Sequence, residues 1–250
     1  MKLIFNADDF GYCKGINLGI VEACQNGPVR SATIMANKPG FYHAVGLAHQ
    51  NPGLRVGVHL TLSSGRSVGG PYKTLTDCEG HFPGYAEVES KARSGELDLS
   101  EVGAEYEAQI RKVIAAGITP DHFDGHHHLQ NLPGVADVFL RLAKQYGAAV
   151  RFFDRSLLAG EYAGIKTTAA FEGGFYGDAV SPEGLKEVLS SRRGADSLEV
   201  MCHPGFVDRA LYEGSVYSLQ RVSELDILTS RETQDFIRES GWTVCSFSDL

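Results

Sequence analysis

No stretch of this 250-residue chain approaches the ~20 consecutive apolar residues that a membrane-spanning helix needs. The N-terminus, MKLIFNADDF, meets two carboxylates after a few apolar residues, so it reads neither as a signal segment nor as a membrane span. Positive charge is scarce: 23 Lys and Arg stand against 31 Asp and Glu, a net charge of −8. That balance argues against nucleic acid as a partner, because non-specific binding requires cations to neutralise phosphates. An anionic substrate remains open, since one pocket can differ from the average. The five cysteines (13, 24, 78, 202, 245) are odd in number and lack CxxC spacing, so they read as reduced thiols in a cytoplasmic protein. The chain also has no GxSxG elbow, Walker A loop or Rossmann fingerprint, which leaves serine-hydrolase, NTPase and dinucleotide readings without support.

What is present is an ordinary globular composition, 43% hydrophobic and 22% charged, in a chain long enough to bury a core without staples. Leu3-Ile4-Phe5 reads as a short strand leading into Asn6-Ala7-Asp8-Asp9. A helix over about 14–25 follows, stopped at Gly27-Pro28. Strands at 31–35 and 54–60 flank a helix from about Pro39 to Gln50. This β-α-β-α-β rhythm signals a parallel sheet with covering helices. Residues 61–85, rich in Gly and Ser, interrupt it with a loop long enough to suggest a lid or disorder. Beyond it, Ser100 is the expected N-cap of a helix to Ala116. Further strands are expected at 121–128, 148–153, 170–175, 198–202 and 242–247. Helices are expected from Pro133 to Tyr146, from Ser181-Pro182 to about Arg193, and from a capping box at Thr229 and Glu232 to Ser240. With no internal repeat and no domain-separating linker, residues 1–250 read as one domain. The expected fold is a single irregular (β/α) barrel of seven or eight strands, TIM-barrel-like, with an open doubly wound sheet as the alternative.

The segment DHFDGHHHLQ, residues 121–130, holds four of the nine histidines. A solvated His-rich run and a metal site both account for it; an expression tag does not, because the run is internal. In βα barrels reactive groups project from the C-terminal ends of strands. Asp8 and Asp9, His59, Asp124, His126 and His128, Arg151 and His203 all fall at such ends. Each also has an ordinary structural reading. Asp8-Asp9 ahead of Gly11 suits a turn, a single His in an apolar strand is often a core residue, and Arg151 could form a surface ion pair. On a strand His126 and His128 would share one face, with His127 opposite as the structural member. Taken together, the placements favour a metal site, with Asp9, His59 and His126 the best ligand set. The metal would polarise a carbonyl and acidify a bound water. Asp8 is then free to act as base, and His203, from another strand, as acid. Phe10, Tyr12, Phe175 and Tyr176 offer aromatic faces to a sugar ring, or pack in the core.

The stretches N-A-D-D-F-G at 6–11, G-V-H-L at 57–60, D-G-H-H-H at 124–128 and C-H-P-G at 202–205 resemble the YdjC-like carbohydrate deacetylases, the family of chitooligosaccharide (diacetylchitobiose) deacetylases. The late R-V-S-E-L-D-I-L-T at 221–229 is similar to the family as well. The resemblance implies an irregular (β/α) barrel that uses a divalent metal, usually Mg²⁺, to remove acetyl from N-acetylated amino sugars. It maps Asp9, His59 and His126 to the metal, Asp8 to the base and His203 to the acid. Arg151, Phe10, Tyr12 and His128 are the substrate-binding candidates. Two departures stand out: Gly125 replaces a common Ser, and Gln130 replaces a final His that bears on the sugar preferred. Two imidazole ligands suit Zn²⁺, Co²⁺ or Ni²⁺ better than the oxygen-preferring Mg²⁺. The alternatives are a metal-dependent phosphoesterase and a sugar- or metal-binding module without turnover. Family precedent and the prevalence of two-fold symmetry make a homodimer the expected assembly.

Overall fold

The computed structural model describes residues 1–250. The chain folds as two compact units, the first built from 1–34, 39–56 and 168–250, the second from 35–38 and 57–167. In the first unit, β1 (Lys2–Phe10) lies between β2 (Ser31–Ile34) and β7 (Ser197–Cys202), and β6 (Ala170–Glu172) flanks β7. A two-residue strand, β8 (Thr243–Val244), pairs with the start of β1. All these pairings are parallel. In the second unit, β3 (Arg55–Leu60), which begins in the first, pairs in parallel with β4 (His122–Gly125), and β4 with β5 (Ala149–Val150). Eight parallel strands alternating with helices place the fold in the (β/α) barrel class, and the two-residue β5 and β8 make it an irregular member.

The apolar run of β1 explains its central place. Leu3, Ile4, Phe5, Ala7 and Phe10 have no solvent exposure, and each large side chain so buried contributes about 1.5–3 kcal/mol. The strand is longer than its sequence suggests. It runs on through Asp8 and Asp9, which the sequence reading sets at the strand's end with a turn as the alternative, to Phe10. Helix α1 (Lys14–Asn26) carries Gly15 and Gly19 one turn apart on one face. A β-carbon at Gly15 would lie 2.3 Å from the Phe206 carbonyl, and one at Gly19 2.4 Å from the Gly205 α-carbon. Only glycine lets α1 approach the chain leaving β7 this closely, and that approach fixes the His203-Pro204-Gly205 segment. The Asp208 carboxylate then accepts from both the Gly15 and Leu211 N–H groups, which pins the same segment at its far end.

Beside the expected α2 (Phe41–Gln50), α5 (Val135–Tyr146) and α6 (Pro182–Ser191), three helices were not foreseen: α3 (Tyr85–Ser94), α7 (Arg209–Gly214) and α8 (Leu219–Thr229). The cap of α4 (Leu99–Ala115) is Asp98, whose side chain accepts from the Ser100 N–H, so the cap falls two residues before the expected one. The cap of α9 (Arg231–Glu239) is Ser230, not Thr229, which ends α8. The long connection after β3 is ordered rather than loose. Glu105 accepts from the Val68 and Gly69 N–H groups, Gln109 brackets Thr61 through both its amide atoms, and Glu101 accepts from Lys73 and Thr74. One face of α4 thus satisfies the backbone of a segment that has no ladder of its own.

Candidate active site

In the first unit, strand register sets the geometry. Ala7 pairs with Cys202 across β1 and β7, so the next residues, Asp8 and His203, emerge side by side at the C-terminal end. The Asp8 Oδ2 lies 4.0 Å from His203 Nε2, and Asn6 Nδ2 donates to the other oxygen of Asp8 at 2.9 Å. Successive strand residues ordinarily face opposite ways, and two features break that rule at Asp9. The β1–β2 register shifts between Ala7 and Phe10, and Asp9 itself adopts a left-handed backbone, φ 67°. Asp is one of the few residues that takes this conformation at modest cost, and a bulge re-aims side chains. The Asp9 carboxylate meets the Arg221 guanidinium at 2.5 Å, both groups being almost wholly buried.

Arg221 and Glu224 escaped the reading from sequence as site residues. They stand three apart on α8, in the R-V-S-E-L-D stretch, and therefore share a helix face. The signal was the Arg-x-x-Glu spacing, but it carries meaning only once 219–229 is known to be helical. Glu224 is fully buried behind His203. It accepts from the His203 N–H and, at 2.5 Å, from the Tyr217 hydroxyl, and its Oε1 sits 3.9 Å from His203 Nδ1. Burial pushes its carboxyl up to about 8, against the opposing pull of the Tyr217 and His203 hydrogen bonds and the Arg221 charge. His203 is thus flanked by one carboxylate at each ring nitrogen.

The second unit repeats the same logic. His59 pairs in register with Asp124, and Phe123 with Val150, which sets Arg151 beside Asp124. His59 Nδ1 bonds Asp124 Oδ1 at 2.7 Å, and Arg151 Nη1 meets Asp124 Oδ2 at 3.1 Å. The row His59, Asp124, Arg151 is almost completely shielded from solvent. Arg151 therefore holds Asp124, as a buried pair rather than a surface one, and has no free surface to offer a substrate.

The histidine run corrects the strand reading. β4 ends at Gly125, and His126–Asn131 form a 3₁₀ segment in which His127 and His128 have φ of 56° and 57°. Period-two alternation does not apply to them. His127 is exposed, its ring centroid 3.9 Å from that of His126 and its Nδ1 3.0 Å from Ser63 Oγ. His128 packs edge-on to Phe153 at 5.0 Å. Consecutive non-glycine residues in this region cluster at functional sites, where the surrounding structure holds the strain. Gln130, expected to bear on sugar preference, is fully buried, and its amide donates to the Arg151 carbonyl at 3.3 Å. A β-carbon at Gly125 would lie 2.4 Å from Gln130 Oε1. The two departures from the family motif therefore lie in direct contact with each other.

Two aromatic candidates also resolve. Phe10 has no exposed surface and is a core residue, so its ring presents no face to a sugar. The Tyr12 hydroxyl donates to the Gly214 carbonyl at 2.9 Å, tying β1's exit to the end of α7.

Within the second unit, His59 and His126 offer imidazole donors to a divalent ion. Asp124 is committed to His59 Nδ1 and Arg151. A carboxylate behind one imidazole nitrogen fixes the tautomer that leaves the other free for metal. That other atom, His59 Nε2, lies 3.3 Å from His126 Nδ1. Two tetrahedral imidazole ligands at ~2.0–2.1 Å from one ion would be about as far apart.

The chain matches the family described as YdjC-like protein over residues 2–239. It is 39% identical to a carbohydrate deacetylase of Clostridium beijerinckii and 42% identical to one of Listeria welshimeri, each alignment covering all of both chains. A solved structure from Enterococcus faecalis V583, provisionally described as a cellobiose-phosphate cleavage protein, superposes with a TM-score of 0.88 at 32% identity, covering 100% of this chain and 98% of that one. A family 4 carbohydrate esterase from Streptomyces lividans shares the fold, with TM-score 0.54 at 12% identity over 98% of this chain and 91% of that one. The fold is that of a (β/α) barrel protein with carboxylate and imidazole side chains at its strand ends. The chain belongs to the YdjC-like family.

Proposed function

We propose that this protein is a metal-dependent carbohydrate deacetylase, hydrolysing the acetamide of N-acetylated amino sugars such as chitooligosaccharides. The observation that carries the reading is His203 held between Asp8, at 4.0 Å from Nε2, and Glu224, at 3.9 Å from Nδ1, at the ends of two paired strands. Amide hydrolysis needs a base for the attacking water and an acid for a poor leaving group, and Asp8 and His203 supply that pair within reach of one reacting carbon. The full-length similarity to carbohydrate deacetylases supports the same chemistry.

Asp9, His59 and His126 are the proposed ligands. When bound, a divalent ion supplies Lewis-acid polarisation of the acetyl carbonyl and lowers the pKa of water. Asp8 takes the proton of the attacking water, with Asn6 fixing its carboxylate. His203 then delivers a proton to the departing nitrogen, so that acetate and the free amine leave. Glu224, behind the ring, fixes the position of His203 by accepting its backbone N–H. Asp124 does the corresponding work for His59, and Arg151 for Asp124. Mg²⁺ is the ion the family resemblance favours; Zn²⁺, Co²⁺ and Ni²⁺ suit the two imidazoles.

We carry a homodimer as part of this reading, and a cytoplasmic location, which five free cysteines support. Light scattering tests the former; a single-chain mass in solution refutes it. The activity is tested by acetate release from diacetylchitobiose, with its phosphorylated form as a second arm. Apo protein is reloaded with Mg²⁺, Zn²⁺, Co²⁺, Ni²⁺ or nothing. Release that requires metal and falls at least ~100-fold in Asp8→Asn is expected, general acid–base catalysis being worth about 10²–10⁴-fold. Release that survives full chelation overturns the metal dependence, and preference for phosphoester hydrolysis overturns the reaction class.

A further inference from the structure

The chain after β6 holds an aromatic surface that the chemistry above does not use. Phe175 is fully buried and anchors the segment. Gly177, at φ 63°, turns the chain so that its N–H donates to the Tyr217 hydroxyl at 3.2 Å. Between these anchors the Tyr176 ring stacks on Tyr217, with centroids 4.1 Å apart and planes 9° from parallel. Tyr217 is itself locked: it is 8% exposed, its hydroxyl donates to Glu224, and the Arg221 guanidinium lies 5.5 Å over its ring. Tyr176 is therefore backed on one side by a rigid frame, yet remains 45% exposed. Its ring centroid is 5.3 Å from that of His203, the planes inclined by 65°.

We infer that Tyr176 is the platform on which the sugar ring bearing the scissile acetamide stacks. The inference rests on the deacetylase reading and adds a specificity-determining residue to it. In amide hydrolysis the nitrogen leaves with the sugar, so the pyranose must sit on the side of the acid, His203. A pyranose in van der Waals contact with Tyr176, about 4 Å above its face, places an equatorial nitrogen toward His203. Rigid, partly exposed aromatic rings bind at low entropic cost because two torsions describe them. Here Tyr217 removes most of that freedom before the ligand arrives, a form of preorganisation. The Glu224 side chain joins the two functions, since it fixes His203 through the backbone N–H and the platform through the Tyr217 hydroxyl.

The test uses Tyr176→Ala, Tyr176→Phe and Tyr176→Trp in the metal-loaded protein. With diacetylchitobiose, Tyr176→Ala is expected to raise KM about 10- to 100-fold while kcat stays within about threefold, the pattern of lost uniform binding. Tyr176→Phe should keep KM within about threefold, because the ring and not the hydroxyl does the work. A second readout needs no turnover. The chain has a single tryptophan, Trp242, which is 5% exposed, so Tyr176→Trp places a reporter at the platform, and titration with chitobiose, the deacetylated disaccharide, should change its fluorescence saturably. If the wild type releases acetate but Tyr176→Ala leaves KM within twofold, the platform is refuted and the deacetylase reading stands. If no acetate is released from any sugar while Tyr176→Trp still responds saturably to chitobiose, the platform stands and the reaction falls. A flat Trp titration up to concentrations that saturate the wild type by calorimetry, or no binding by the wild type, overturns the platform even where Tyr176→Ala does not fold.

Discussion

Asp124→Asn separates two jobs that one carboxylate performs. Asp124 is fully buried, bonds His59 Nδ1 at 2.7 Å and pairs with the fully buried Arg151 at 3.1 Å. The substitution keeps the shape and removes the charge. Breaking one side of a buried pair costs about 3–5 kcal/mol, because the remaining ion stays desolvated. The asparagine oxygen retains one acceptor, so the lower end, about 3 kcal/mol, is expected. For a chain of this length that is roughly 6–12 °C in the melting midpoint. The second effect falls on the metal for which His59 is a proposed ligand. An asparagine can offer its NH₂ to Nδ1 and select the wrong imidazole tautomer, and losing such a partner lowers metal affinity about 10–100-fold. Urea unfolding of the apo protein measures the first effect, and calorimetric titration with Zn²⁺ or Co²⁺ measures the second. The double variant Asp124→Asn with Arg151→Met removes both charges; it should recover most of the stability and none of the affinity. Stability within 1 kcal/mol of wild type and an unchanged metal Kd in Asp124→Asn would refute the reasoning.

Glu224 makes stability depend on pH in a defined direction. Its carboxyl titrates near 4.5 when unfolded and about 8 when folded, so the folded state holds the proton more tightly. The stabilisation is complete below about pH 4.5 and is lost as pH rises to about 8. Denaturant midpoints across that window should show the decline, and Glu224→Gln should flatten it; an equal slope in both proteins removes Glu224 as the cause. Gly125→Ser should destabilise by about 1–3 kcal/mol through overpacking against Gln130, and Gly125→Ser with Gln130→Ala should regain part of that. Additive losses in the double variant would show that the two positions are not coupled.

The sequence alone carried the β-α rhythm, because burial on both faces writes parallel strands as apolar runs and glycine or proline marks each helix end. It also carried most of the polar strand-end residues, since Asp8, His59 and His203 interrupt those runs where barrel chemistry sits. Three things needed the tertiary structure. Local pattern could not show that Asp9 leaves the strand's alternation, because the bulge arises from pairing with β2 and not from residues 6–11 themselves. His127 and His128 read as strand residues but took left-handed backbone angles that only their surroundings sustain. Arg151 read as a substrate-binding candidate, with a surface ion pair as the alternative, because nothing in its neighbours announces Asp124, 27 residues earlier, as its buried partner. The same applies to Arg221 and Glu224, whose spacing acquires meaning only when α8 packs against the ends of β1 and β7. Periodicity along a chain records which side of an element is buried; which charge faces which is decided by register and packing between elements distant in sequence.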